Sequence, residues 1–148
     1  MRLRVAALLI ALVSMTAAAQ TTTLQALRDQ SRPLLIFAPG NDPRLQQQLS
    51  DLAHQPAELR DRDMRVVLLV RGNGPVTQGS SLPLASFTPA EQEHARRKFH
   101  VAPDEFAAIL VGKDGGEKLR SSSPLPWQRL SSTIDSMPMR RDEMHGKR

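Results

Sequence analysis

The chain of 148 residues contains no cysteine and no tyrosine, and its other aromatics are one tryptophan and four phenylalanines. The missing cysteine excludes disulfides, thiol catalysis, iron–sulfur clusters and cysteine-ligated zinc. The shortage of aromatics removes the stacking platform used by binders of single-stranded nucleic acid, and together with a modest charge it disfavours nucleic acid as a partner. No apolar run approaches the roughly 20 residues of a membrane-spanning helix. Familiar catalytic spacings are missing too. There is no HExxH, no histidine pair at i, i+4, and no Gly-x-Ser-x-Gly elbow. Gly74 and Gly79 bracket a stretch like a phosphate loop, but the lysine and the following helix are lacking. No metal or cofactor is indicated.

What is present begins with Arg2 and Arg4, an apolar run over 5–13, and Ala17-Ala18-Ala19. This is the layout of a secretory signal peptide with cleavage after Ala19. Without a cysteine to carry lipid or a paired arginine, the general secretory route to the periplasm or the medium is expected. Removing the 19 residues takes two arginines, leaving 129 residues with 18 bases against 15 acids, a formal charge of +3. The chain therefore divides into a signal peptide (1–19), a single domain (20–138) and a charged tail (139–148) expected to be disordered.

Apolar patterning marks the elements. Residues 33–38 and 64–70 are continuous apolar runs, the pattern of strands buried on both faces. Between them Asn41 or Asp42 caps a helix with Pro43 at its first position and Leu45, Leu49 and Leu52 on one face, ended by Pro56. A short helix is expected within 21–30, and residues 71–87, rich in Gly, Pro and Ser, read as a mobile loop. Thr88-Pro89-Ala90-Glu91 is a capping box for a helix to Phe99, with Arg96, Arg97 and Lys98 in its last turn. Strands over 105–111 and 117–121 flank the turn Lys113-Asp114-Gly115-Gly116 and should pair antiparallel. Pro126 opens a last helix carrying Trp127, Leu130, Ile134 and Met137 on one face, and Pro138 stops it.

The resulting order, β-α-β-α-β-β-α, is that of a thioredoxin-like α/β fold, a three-layer α/β/α sandwich around a four-stranded mixed sheet. Five stretches also carry a family resemblance. They are 34–39, Asp42-Pro43-Arg44-Leu45, Lys98-Phe99, 106–120 with its Gly-Lys-Asp-Gly-Gly-x-Lys core, and Met137-Pro138-Met139-Arg140-Arg141-x-Glu143-Met144. They resemble the domain of unknown function family 4174 over residues 24–144, the Gly-Lys-Asp-Gly-Gly and Met-Pro-Met-Arg-Arg segments being the most specific. The resemblance implies a thioredoxin- or peroxiredoxin-like fold, small exported bacterial members, and related domains in animal extracellular proteins built with sushi repeats or coiled coils. It brings no catalytic residue, because the family has no established activity.

In thiol enzymes of such a fold, the loop after the first buried strand holds the reactive cysteines at a helix N-terminus. Here that loop is Pro39-Gly40-Asn41-Asp42, which reads as a capped helix start. A ligand pocket using Asn41 and Arg44 is the sharper alternative, although Asp42 already places negative charge there. Pro103 stands before the third strand, where the fold places a cis-proline. Three basic sets, Arg60/Arg62/Arg65, Arg96/Arg97/Lys98 and Arg140/Arg141 with Lys147/Arg148, have acids nearby and read as solvated faces. Asp61/Asp63 and Glu91/Glu93 are two apart and share no helical face, so no acid–base pair is indicated.

These observations point to an exported, non-catalytic binding module of the periplasm or cell envelope, with another envelope or extracellular protein as partner. Its candidate interaction surface comprises Asn41, Arg44, Pro103, Arg140 and Arg141, and the 71–87 loop is a further candidate contact surface. The alternatives are a thiol-independent enzyme using a groove near Asn41 and Pro103, and a peripheral binder of anionic envelope components whose weak contact fades with salt. Intact-mass analysis of the protein exported by its native host should find a chain beginning at Gln20. Recovery of a chain still beginning at Met1 would reject cleavage.

Overall fold

Two continuous apolar runs become the centre of a six-stranded sheet. The computed structural model describes residues 21–75, 77 and 79–146, so the expected signal peptide and the tail residues Lys147 and Arg148 lie outside the described residues. The strands are β1 (Thr21–Thr22), β2 (Arg32–Pro39), β3 (Met64–Arg71), β4 (Leu84–Phe87), β5 (Ala107–Val111) and β6 (Glu117–Ser121). Their spatial order is β1-β4-β3-β2-β5-β6. β2 runs parallel to β3 from Arg32↔Met64 to Pro39↔Arg71, and antiparallel to β5 with Phe37 opposite Ala107 and Leu34 opposite Leu110. β5 and β6 form the expected antiparallel hairpin, irregular between Leu110 and Val111.

The helices are α1 (Leu24–Leu27), α2 (Pro43–Ala53), α3 (Pro56–Asp61), α4 (Pro89–Phe99), α5 (Trp127–Asp135) and α6 (Pro138–Gly146). They cover both sheet faces, as alternation along the strands requires. Leu34, Ile36, Leu110 and Val66 pack under Leu45 and Leu52 of α2, Leu59 of α3, and Leu130 and Ile134 of α5. Leu35, Phe37, Val67 and Ile109 face Leu27 of α1 and Ala95 and Phe99 of α4. Thr88 caps α4 by accepting from Glu91 N–H, while the Glu91 carboxylate turns away to accept from Leu24 N–H at 2.8 Å and pins α1. Gln48 is fully buried, and its amide exchanges two hydrogen bonds with the Leu125 backbone, tying α2 to the entry of α5. Among the described residues no helix is long and apolar enough to cross a membrane.

Several expectations are corrected. The sheet has six strands rather than four, because β1 and β4 hold only two and four residues, too few to show a period. β4 lies inside the segment expected to be loop, yet Leu84 and Ala85 pair with Val66 and Val67 of β3. Pro56 and Pro138 each stand at the first position of a helix, α3 and α6, instead of merely closing the one before. The tail expected to be disordered is thus helical through Gly146, and Arg140 within it is buried. Leu110→Ala, at a fully buried central position, should cost about 3 kcal/mol in denaturant unfolding, whereas exposed Arg97→Ala should stay within about 0.5 kcal/mol.

Candidate functional site

The two most specific segments of the chain meet at one end of β2. In the first, Gly115 at φ +81° makes the turn that a side chain would strain, and Gly116 N–H donates to Asp114 Oδ1 at 2.9 Å. Gly112 serves by lacking a Cβ. A carbon there would stand 2.5 Å from Lys118 Cε, so the Lys118 stem lies across the glycine and its ammonium reaches Asp114 at 2.7 Å. Asp114 is held below the usual carboxylate range by that ammonium, then by Gly116 N–H.

The second segment, α6, docks through charge. Arg32, the first residue of β2, is 1 % exposed and donates both η nitrogens to Glu143 of α6, at 3.2 and 3.0 Å, with a further bond to Arg62 O. Lys113 Nζ reaches the same carboxylate at 2.6 Å and Asp63 at 2.8 Å. Arg140 bonds Asp61 and also donates to Asp135 at 3.3 Å. Arg62 joins Asp135 at 2.8 Å to Glu58 at 2.7 Å and stacks over Trp127. The bases lie inside and the acids outside: Arg32, Arg140, Lys113 and Arg62 expose 1, 4, 10 and 12 % of their side chains, against 24 to 53 % for Glu143, Asp135, Asp61, Asp63 and Glu58. Burial opposes ionisation of Glu143, yet hydrogen bonds from Arg32 and Lys113 outweigh it and hold the carboxyl below its ordinary range. Burial likewise works against the charge on Lys113, and its two carboxylate partners raise its pKa in spite of it.

Between the turn and α6 lies a cavity of about 330 Å³. Arg32 and Gly112 line it, with Lys113 and Lys118 beside them, and the junction of α5 and α6 closes it with Ser136, Met137, Pro138 and Met139. The described residues bring no three of His, Asp or Glu together in a metal-binding set.

The residues singled out in the sequence do not gather there. Asn41 is exposed at the start of α2. Arg44 folds back on Asp42, bonding it at 2.7 and 3.0 Å, and lies 4.9 Å above the Phe106 ring. That bond holds the Asp42 carboxyl below its ordinary range, so the loop where thiol enzymes carry cysteines is a closed clamp. Exposed Pro103 lines a shallow depression with Glu93, Arg97 and His100, and no cis peptide bond occurs among the described residues. Arg141 is exposed, but Arg140 is buried and cannot serve as open surface. The basic sets are not uniformly solvated faces. Arg62 is half-buried, Arg140 is buried, and Arg96 is buried over Phe37, donating to Leu69 O at 2.9 Å. Arg32, Lys113, Lys118 and Glu143 escaped notice individually. Lys113, Lys118 and Glu143 were visible only as members of the two family-like segments, and Arg32 only as a base at the threshold of an apolar strand.

Because the Glu143 carboxyl is depressed in the fold, its ion pairs stabilise above the unfolded pKa and lose that contribution as pH falls through the lower folded value. Glu143→Gln should therefore cost about 2 kcal/mol at pH 7, less than a fully buried pair because part of the carboxylate is solvated. The difference from the parent chain in denaturant unfolding should shrink below about pH 4. A pH-independent difference would show that Glu143 acts by shape alone.

The comparisons agree with this architecture. A family model described as Domain of unknown function (DUF4174) matches residues 23–143. Coiled-coil domain-containing protein 80 of Danio rerio is 33 % identical over 135 residues, covering 82 % of this chain, which spans only 15 % of that relative's length. Among solved structures, the reduced 2-Cys peroxiredoxin of Plasmodium vivax superposes with a TM-score of 0.57 at 12 % identity, covering 83 % of this chain and 72 % of that one. Plasmodium yoelii thioredoxin peroxidase I gives 0.56 at 14 % identity (83 % and 80 % covered), and StoA from Bacillus subtilis gives 0.51 at 11 % (70 % and 82 %). At such identities the likeness shows the fold, which is thioredoxin-like. By its match over residues 23–143 the chain belongs to the DUF4174 family of domains of unknown function.

Proposed function

We propose that this chain is an exported, non-catalytic binding module of the periplasm or cell envelope, and that it meets its partner at the junction of the Gly112–Gly116 turn with α6. The observation that carries the reading is the cavity at that junction, opened beside the two segments most particular to the family and rimmed by exposed Met139. The ionisable groups around it favour holding over chemistry. General acid–base work needs a group whose pKa lies near the working pH. Glu143 and Asp114 are displaced downward and Lys113 upward by their ion pairs, which keeps all three in fixed charge states near neutrality. Each is already bonded, so a partner meets a preorganised surface and spends little ordering it. The partner best suited to such a rim is another envelope or extracellular protein that presents apolar surface to Met139.

A photo-crosslinking residue placed at Met139, in protein exported by its native host at physiological salt, should yield one saturable adduct. The same residue at exposed Arg97, on the helix covering the opposite sheet face, should not. Equal adducts from both positions, or none from Met139, would overturn the assignment.

A further inference from the structure

We infer that the cavity between the Gly112 turn and α6 takes a carboxylate that carries a short apolar group, gripped by Arg32 Nε–H and the Lys118 ammonium. The inference rests on the binding-module reading and gives its ligand a chemistry. Three observations lead to it.

The first is a donor count. Arg32 offers five N–H groups. Nη1 serves Arg62 O and Glu143, and Nη2 serves Glu143, but Nε, buried and shielded from solvent, has no partner among the described residues. A buried charged donor left unmade is costly, and native folds rarely keep one without a use for it. Glu143 holds both η nitrogens, so the guanidinium cannot swing round to find a partner, and an acceptor has to come to it.

The second is the neighbouring supply of charge. Lys118 spends one ammonium proton on Asp114 and keeps donors to spare. The hydroxyls of Ser136 and Thr133 already donate to Thr133 O and Arg129 O, so neither competes as a donor to an anion. One unmade guanidinium N–H and a spare ammonium proton, on two residues that line the same cavity, suit the two oxygens of a carboxylate. Asp114 in the wall, with Glu143 and Asp63 behind it, makes a phosphate dianion a poorer fit.

The third is the remainder of the wall. Met137, Pro138 and Met139 present apolar surface, and the volume lies at the small end of known ligand sites, roughly 300 Å³ and upward. Methionine side chains are unbranched and adaptable, so these can give way to admit the carboxylate to the shielded Nε. The same chemistry is found in a free organic acid and in the C-terminus of a chain ending in an apolar residue.

The test is NMR of the arginine Nε–H signals of the ¹⁵N-labelled chain. It would be titrated with hexanoate, hexanamide, inorganic phosphate, and a short peptide ending in leucine with a free or amidated C-terminus. Hexanoate or the free-acid peptide should move the Arg32 signal saturably, and their neutral amides should bind at least tenfold more weakly. Lys118→Met, which keeps the unbranched stem over Gly112, should weaken the acid about tenfold, the effect of losing one charge-assisted hydrogen bond, while the loss of its exposed pair with Asp114 lowers the folding equilibrium constant no more than about fivefold, about 1 kcal/mol of stability. Response to the peptide alone assigns a chain terminus, and response to hexanoate alone assigns a free acid; both support the site. Equal binding of acid and amide, tighter binding of phosphate, shifts at Arg97 as large as those at Arg32, or no response up to about 10 mM, where a weak fragment should register, would each overturn it. Failure here with the Met139 adduct intact removes the carboxylate and leaves the binding module standing.

Discussion

One guanidinium, that of Arg32, ties the first residue of the central strand to α6. It stands at the first position of the central strand, with its backbone N–H bonded to Asp63 and its side chain to Arg62 O and Glu143. Desolvating an arginine is expensive, and the cost is recovered only where the geometry is good and further hydrogen bonds are made. Here a bidentate carboxylate and a carbonyl supply both. With Lys113 on the same carboxylate and Arg140 on Asp61 and Asp135, that pair holds α6, whose buried residue is Arg140 while Met139 and Met144 are exposed. The helix is attached by ionic contacts where helices are ordinarily attached by an apolar stripe.

That inversion explains which parts of the fold were readable. β2, β3, the α2 stripe, the Thr88 cap of α4 and the β5–β6 turn follow rules of period and capping and formed where the pattern placed them, although Glu91 left the capping box for Leu24 N–H. α6 has no apolar period, so reasoning from hydrophobicity left it as a charged tail. α3 and α6 also start at prolines, which mark a helix beginning as readily as an ending. The candidate site was legible only as two unusual segments. That they touch depends on the antiparallel pairing that brings the end of β5 back to the start of β2, and no local pattern encodes it.

The same pairing relocates the point of interest. In thiol enzymes of this fold the chemistry sits beyond the C-terminal end of the first long strand. At that end this chain has the Asp42–Arg44 clamp, whose groups are spent on each other and on the start of α2. The cavity lies at the opposite end of β2, an eight-residue strand about 25 Å long. The chain, without cysteine, has the same sheet with its cavity at the other pole.

The two margins of the sheet carry a last consequence. One ends in β1, two residues long, and the other in β6, where Glu117, Lys118 and Arg120 stand along the outer strand, each in an ion pair. Short edges and charged edges both resist the addition of a foreign strand. A chain with no disulfide to lock it, crowded among unfolded neighbours, would otherwise offer its exposed backbone as a template for growth. Lys118, besides its place beside the cavity, thus helps to keep the molecule from polymerising along its own sheet.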